Sequence, residues 1–289
     1  MKNKIILGSA NFDQTYGIKR NFIKKDEIKK MLNYANKNKI KIIDTSPLYN
    51  KSEKIIGLLN NNRFRIISKI PQAPKKIEKK NIYKWLKKTV MISLKNLKIK
   101  SFEYLLFHNS NSLLDKNADE IYKSIIKIKN EGFTKKIGIS IYDVNILKKI
   151  LKKFRLDLIQ VPFNILDQRL LKKNLLKTLK KKGIEIHVRS IFLQGILLLK
   201  HTQLPYKLKK FSKIWMIWER WLKKNKLDPL QACFSFAYNQ QQINGIIIGC
   251  NNKRQLQEVV GLKKEKNIFL PPRIKIKNKK LIDPRTWSK

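Results

Sequence analysis

The sequence predicts the α/β class, and within it a closed (β/α)8 barrel of the TIM type built as a single domain. Three observations carry that expectation. Short β-branched runs alternate with longer, lysine-rich amphipathic stretches from one end of the chain to the other. The alternation completes eight rounds with no Gly-rich phosphate loop, which favours a closed barrel over a doubly wound sheet. The length of 289 residues is also compatible with one barrel, since such folds occupy about 250 residues.

Taken in chain order, each strand segment is followed by a helical one. A strand at 4–8 leads to a helix at 25–38, and a strand at 39–45 to a helix at 51–59. The next pairs are 64–69 with 78–97, 102–108 with 118–131, and 136–140 with 144–154. The last three are 156–161 with 168–182, 183–190 with 229–240, and 245–249 with 253–262. The strands are short runs of Ile, Val and Leu, whereas the helices repeat apolar residues at i, i+3 and i+4, as at Ile121, Ile125 and Ile128 or Leu171, Leu175 and Leu179. Such alternation buries its apolar faces as a parallel sheet with helices outside it. No linker rich in Pro, Gly or Ser divides the chain; loops are short except around 199–208, and the tail after Asn267 reads as irregular.

Composition narrows the function classes. The formal net charge is +46, yet only ten of the 66 basic residues are arginine, and they are spread evenly along the chain. Specific nucleic-acid binding favours a localised stripe, interleaved aromatics and bidentate arginine, so no specific nucleic-acid partner is expected. Lysine, isoleucine and asparagine share A/T-rich codons, and codon drift on solvated faces accounts for the charge. Nonspecific attraction to polyanions still follows from it. No run reaches the roughly 18 apolar residues of a membrane helix, so no membrane partner is expected either. The apolar run at 5–7 is too short for a signal peptide. Cys233 and Cys250 match no zinc or redox spacing, and two reduced thiols fit the cytoplasm.

In a barrel of this kind the chemistry sits at the C-terminal ends of the strands. The second strand, Ile-Lys-Ile-Ile, ends in Asp44, with Tyr49 five residues on; the third ends in Lys69 and the fourth in His108. Each has an ordinary reading as a strand terminator, one of nine tyrosines, one of 56 lysines, or a satisfied core histidine. Together, on successive strands and at one end, they form a catalytic set. Hydride arriving at a carbonyl carbon puts charge on oxygen, which must be protonated or stabilised. A tyrosine is a poor acid near neutrality without a cation beside it. Lys69 supplies that cation, Asp44 holds it, and His108 orients the oxygen.

These residues lie in motifs that resemble the aldo/keto reductase family. The carriers are Ile43-Asp-Thr-Ser-Pro-Leu-Tyr49, Ser52-Glu53-Lys-Ile-Ile-Gly57, Ser68-Lys69, Leu105-Leu-Phe-His108, Lys136-Ile-Gly-Ile-Ser140, Ile159-Gln-Val-Pro-Phe-Asn164 and Ile248-Gly249. The resemblance implies a tetrad of Asp44, Tyr49, Lys69 and His108 with the tyrosine as proton donor, and a nicotinamide cofactor bound without a Rossmann fold. It implies carboxamide contacts at Ser140 and Gln160, although Ile141 replaces the family's usual Asn. Arg189 stands where the family has a ring-stacking aromatic, and it is expected to bind the cofactor there by stacking its guanidinium plane on the ring in place of Tyr; its other reading is an arginine paired with an acid.

The cofactor phosphates are expected near Gly249 and the N-terminus of the following helix, with Lys253, Arg254, Gln255 and Glu258 around them. Lys253 and Arg254 favour NADPH, with NADH as the alternative because Gln255 stands where a 2′-phosphate arginine is usual; surface charge is their ordinary reading. The motifs at 15–18, 162–168, 189–195 and 283–287 resemble a bacterial subgroup associated with polysaccharide and nucleotide-sugar biosynthesis, which implies a sugar-derived or related carbonyl substrate. Trp215, Trp218 and Trp221, three residues apart on a predicted helix, are read as packing first and substrate contact second.

The expectation is therefore an NAD(P)H-dependent carbonyl reductase acting on a small molecule, as a monomer or small homo-oligomer. A regulatory, redox-sensing protein of the same fold is the competing class.

Overall fold

The computed structural model of the chain describes residues 3–13, 23–262 and 279–287, apart from the side chains of Lys173 and Lys279. The motif at 15–18 and most of the predicted irregular tail lie outside the described residues. Eight parallel strands close into a barrel in sequence order. They are β1 (Ile5–Gly8), β2 (Ile42–Asp44), β3 (Arg65–Ile70), β4 (Phe102–Phe107), β5 (Thr134–Ser140), β6 (Leu158–Pro162), β7 (Glu185–Arg189) and β8 (Gly245–Gly249), with β1 paired to both β2 and β8. Around them run α1 (Lys25–Lys37), α2 (Ser52–Leu59), α3 (Ile82–Leu97), α4 (Ala118–Asn130) and α5 (Leu147–Lys153). These are followed by α6 (Leu175–Lys181), α7 (Ser212–Lys224), α8 (Pro229–Tyr238) and α9 (Lys253–Gly261). All eight expected strand–helix pairs are present, displaced by a few residues at their ends.

Two of the displacements have a local cause. The stretch read as one helix over 168–182 begins as a 3-10 turn at Arg169–Asn174, and Asn174 is left-handed at φ 54°, so α6 starts only at Leu175. Leu171 therefore falls outside the helix and is exposed. Likewise 3-10 turn Lys79–Asn81 precedes α3.

Two cores follow from the alternation of strand side chains. Outward-facing residues pack with the helices; α4 contributes Ile121, Ile125 and Ile128 to this outer core. Inward-facing residues make a separate lumen cluster of Ile6, Ile67, Tyr104, Leu106 and Leu158, joined by Ile42 and Ile247. The lumen is narrow enough to require glycine: a Cβ on Gly138 would lie 2.3 Å from the Leu158 carbonyl oxygen, and one on Gly245 2.6 Å from His187 Cδ2. Its lower end is polar, where Lys136 and the Tyr104 hydroxyl both donate to Glu185.

This register positions the site. Asp44, Lys69, Gln160 and Gly249 each lie two residues beyond a lumen residue, Ile42, Ile67, Leu158 and Ile247 respectively. With a two-residue period they share the inner face at the C-terminal mouth. His108, Ser140 and Arg189 follow Leu106, Gly138 and His187 by the same step.

Candidate active site at the barrel mouth

The centre of the site is an ion pair taken out of water. Lys69 and Asp44 are 2% and 3% exposed, and Lys69 Nζ donates to Asp44 Oδ1 at 2.6 Å. The same ammonium donates to the Thr45 carbonyl at 2.9 Å and to the Tyr49 hydroxyl at 3.4 Å. The other Asp44 oxygen accepts from Gln160 Nε2 at 2.7 Å. Buried charges survive when paired and hydrogen-bonded in this way.

Tyr49 reaches this pair from the loop after β2. Its backbone N–H donates to the Ser46 carbonyl, and Ser52 N–H donates to the Tyr49 carbonyl, so the turn into α2 fixes it. Its ring meets the His108 ring edge-on, centroids 5.8 Å apart at 89°. Burial, with the Asp44 carboxylate beside it, pushes the phenol well above the usual tyrosine range, against an opposing effect of Arg189. Lysine was expected to lower it; burial and the charge of Asp44, which already pairs with the ammonium at 2.6 Å, outweigh that effect.

His108 is pulled down to about 3 by burial, with the Lys69 and Arg189 charges adding to the effect. Its Nδ1 shares a 2.9 Å hydrogen bond with Ser46 Oγ, which also accepts from Leu48 N–H. Ser46 was not singled out in the sequence, although it lies inside the Asp44–Tyr49 motif that was. Glu53 plays a supporting part from α2, accepting from Ser68 Oγ at 2.8 Å, one residue before Lys69.

The donor set beside the tetrad fits a carboxamide. Ser140 and Gln160 are 3% and 1% exposed and paired in register on β5 and β6. Among the described residues neither the Ser140 hydroxyl nor Gln160 Oε1 has a side-chain partner, which leaves one donor and one acceptor side by side. Ile141 is buried and donates only its backbone N–H, to the Gln160 carbonyl.

Arg189 is paired with no acid among the described residues. Its Nη2 donates to the Ile141 carbonyl at 3.1 Å and its guanidinium lies over the Tyr142 ring, 4.1 Å from the centroid. Tyr142 is a second residue that sequence reasoning passed over; its place two after Ser140 was the available signal.

At β8, a Cβ on Gly249 would meet nothing within 4 Å, so the strand ends beside open space. The start of α9 is already engaged. Asn252 Oδ1 accepts from Gln255 N–H, Gln255 Oε1 accepts from Asn251 N–H, and Lys253 N–H donates to Glu27 of α1 at 2.7 Å. Arg254 pairs with Glu258 on the exposed face. Buried Asn11 donates to the Cys250 carbonyl and to Asn251 beneath this turn.

The tryptophans lie elsewhere in function. Trp215 and Trp218 are fully buried and donate their indole N–H groups to the Ile196 and Leu197 carbonyls. Trp221 stacks on Trp218. They anchor α7 to the long loop after β7. Among the described residues no group of His, Cys, Asp and Glu could hold a metal ion, and no helix is long and apolar enough to cross a membrane.

Comparison with known proteins agrees with the fold. A sequence profile of the Aldo/keto reductase family matches residues 4–267. A curated relative, described as the uncharacterized oxidoreductase YqkF of Bacillus subtilis (strain 168), is 26% identical over 167 residues. That match covers 55% of this chain and 53% of the relative, so it spans about half of the relative's length. Among solved structures, the aldo-keto reductase AKR11C1 from Bacillus halodurans (holo form) superposes with a TM-score of 0.71 at 17% identity, covering 92% of this chain and 88% of its own. The glycerol dehydrogenase AKR11B4 from Gluconobacter oxydans superposes at 0.70 and 17% identity, covering 94% and 95%. These two share the fold.

Proposed function

The chain belongs to the aldo/keto reductase family, and on that premise we propose that it is an NADPH-dependent oxidoreductase that reduces an aldehyde or ketone, sugar-derived or related, to the alcohol. The observation that carries the reading is the bonded set of Asp44, Lys69 and Tyr49 with His108 against the phenol ring. A bound nicotinamide cofactor supplies the hydride. Ser140 and Gln160 hold its carboxamide, and Gly249, Lys253, Arg254, Gln255 and Glu258 surround its phosphate end. Two buried, unbridged thiols, Cys233 and Cys250, support residence in the reducing cytoplasm.

Tyr49 is the proton donor. With its phenol held high it stays protonated through the neutral range and is loaded for reduction. As the carbonyl oxygen gains charge, the phenol proton passes to it. The phenolate left behind is stabilised by Lys69, whose charge Asp44 and the Thr45 carbonyl hold in position. His108 is neutral. With Ser46 donating to Nδ1, the ring carries its proton on Nε2, which points a donor at the carbonyl oxygen.

A second reading, NADH as the preferred cofactor, is favoured by Glu27. Its carboxylate already accepts from the first N–H of α9, at a helix end that would otherwise favour an anion such as a 2′-phosphate.

The test is an assay of NADPH and NADH consumption by the purified protein over sugar-derived and aliphatic aldehydes, run beside Tyr49→Phe. Wild type should turn over at least one substrate, and Tyr49→Phe should lower kcat by about 100-fold or more. Equal rates for the two on every substrate would sink the mechanism. Cofactor binding without turnover would favour the regulatory reading.

A further inference from the structure

Three arginines gather where the loops after β5, β6 and β7 meet the C-terminal segment, and two of them are neutralised. Arg169 forks onto both carboxylate oxygens of Asp167 at 2.7 Å, with Asp143 at 3.9 Å. Arg285 forks onto Asp283 at 2.8 and 2.6 Å and lies over the Tyr142 ring, 3.6 Å from its centroid. Arg189 lies over the same ring, yet no carboxylate among the described residues answers it.

A guanidinium carries five N–H donors, and Arg189 commits Nη2 to a neutral carbonyl. Tyr142 covers part of its plane, so what remains uncommitted is the donor edge that matches a carboxylate or phosphate in bidentate fashion. The group is half-buried, where a cation without a counter-charge is costly. It also faces the reacting groups: it ends β7 on the inner face, and its charge acts on both His108 and Tyr49. The other cation there, Lys69, is already bound to Asp44.

We propose that Arg189 is a substrate-binding residue and that the substrate is a small aldehyde or ketone bearing an anionic group, a carboxylate or a phosphate, close to its carbonyl. The proposal rests on the reductase reading above. The chain's large positive charge would draw such a substrate in from a distance.

The experiment compares matched aldehydes on wild type, Arg189→Lys and Arg189→Gln: succinic semialdehyde against butanal, and glyceraldehyde 3-phosphate against glyceraldehyde. Wild type should favour the charged member of at least one pair in kcat/KM by about tenfold or more, and that pair identifies the anion. Arg189→Gln should cut this preference by about 10- to 100-fold, mainly through KM, and Arg189→Lys should retain part of it. Calorimetric titration with the unreactive anions succinate and glycerol 3-phosphate should show saturable binding in wild type that Arg189→Gln loses. NADPH affinity, measured by tryptophan quenching, is followed in parallel.

A wild type that treats both members of each pair alike overturns the proposal. So does an unchanged preference in Arg189→Gln accompanied by lost NADPH affinity, which assigns the arginine to the cofactor. If no aldehyde is reduced at all, the reductase reading fails; the calorimetric arm still decides the anion site, and absence of binding there rejects it.

Discussion

At the scale of single residues, the behaviour of Tyr49 is governed by how completely Asp44 offsets Lys69. The ion pair is nearly free of solvent, and breaking one half of such a pair leaves a buried, uncompensated charge. Lys69→Met should therefore lower stability by about 3–5 kcal/mol and nearly abolish turnover. The double variant Asp44→Asn/Lys69→Met should regain most of that stability while remaining inactive. Urea denaturation beside kcat separates the two effects, and an active double variant would contradict the role given to the ammonium. With His108 at about 3 and the phenol pushed up, neither group changes charge near neutrality.

At the scale of elements, the contact between α1 and α9 bears on the proposed cofactor preference. Helix N-termini favour anions, and here Glu27 of α1 supplies one to the Lys253 N–H at 2.7 Å. A 2′-phosphate arriving at that end must displace the carboxylate or sit against its charge. Glu27→Gln should tighten NADPH binding by about tenfold while changing NADH binding less, as read by tryptophan quenching. An unmoved ratio of the two dissociation constants would separate Glu27 from the cofactor. The remaining elements are ordinary: α5 buries Leu147 and Ile150 and turns Lys148, Lys149, Lys152 and Lys153 to solvent, which is how one barrel carries so many lysines.

At the scale of the whole molecule, the buried titrating groups make stability depend on pH. Burial pulls His108 to about 3 and His187 to about 4. Below about 6.5, the ordinary histidine value, the unfolded chain takes up protons that the native state refuses, so stability falls as pH falls towards the native values. Burial pushes the Glu53 carboxyl up; that group binds its proton more readily in the native state and acts in the opposite sense to the histidines. Each histidine by itself contributes close to one proton between pH 6 and 5, or about 1.4 kcal/mol lost per pH unit, and Glu53 reduces their sum. Urea denaturation at pH 7, 6 and 5 measures it, and a flat profile would mean that the histidines are hydrated.

What the sequence determined by itself was the architecture and the identity of the candidate tetrad. Both are local: strand and helix periods are written in neighbouring residues, and Asp44, Lys69 and His108 mark strand ends. The tetrad was legible because those ends all open at one mouth. What only the tertiary structure decided was the state of those groups and their partners. Ser46 on His108, Glu27 on α9, and Arg189 on Tyr142 without a carboxylate join residues 47 to 226 positions apart. Such pairings, and the burial that sets each group's charge, arise from barrel closure, and no periodicity along the chain records them.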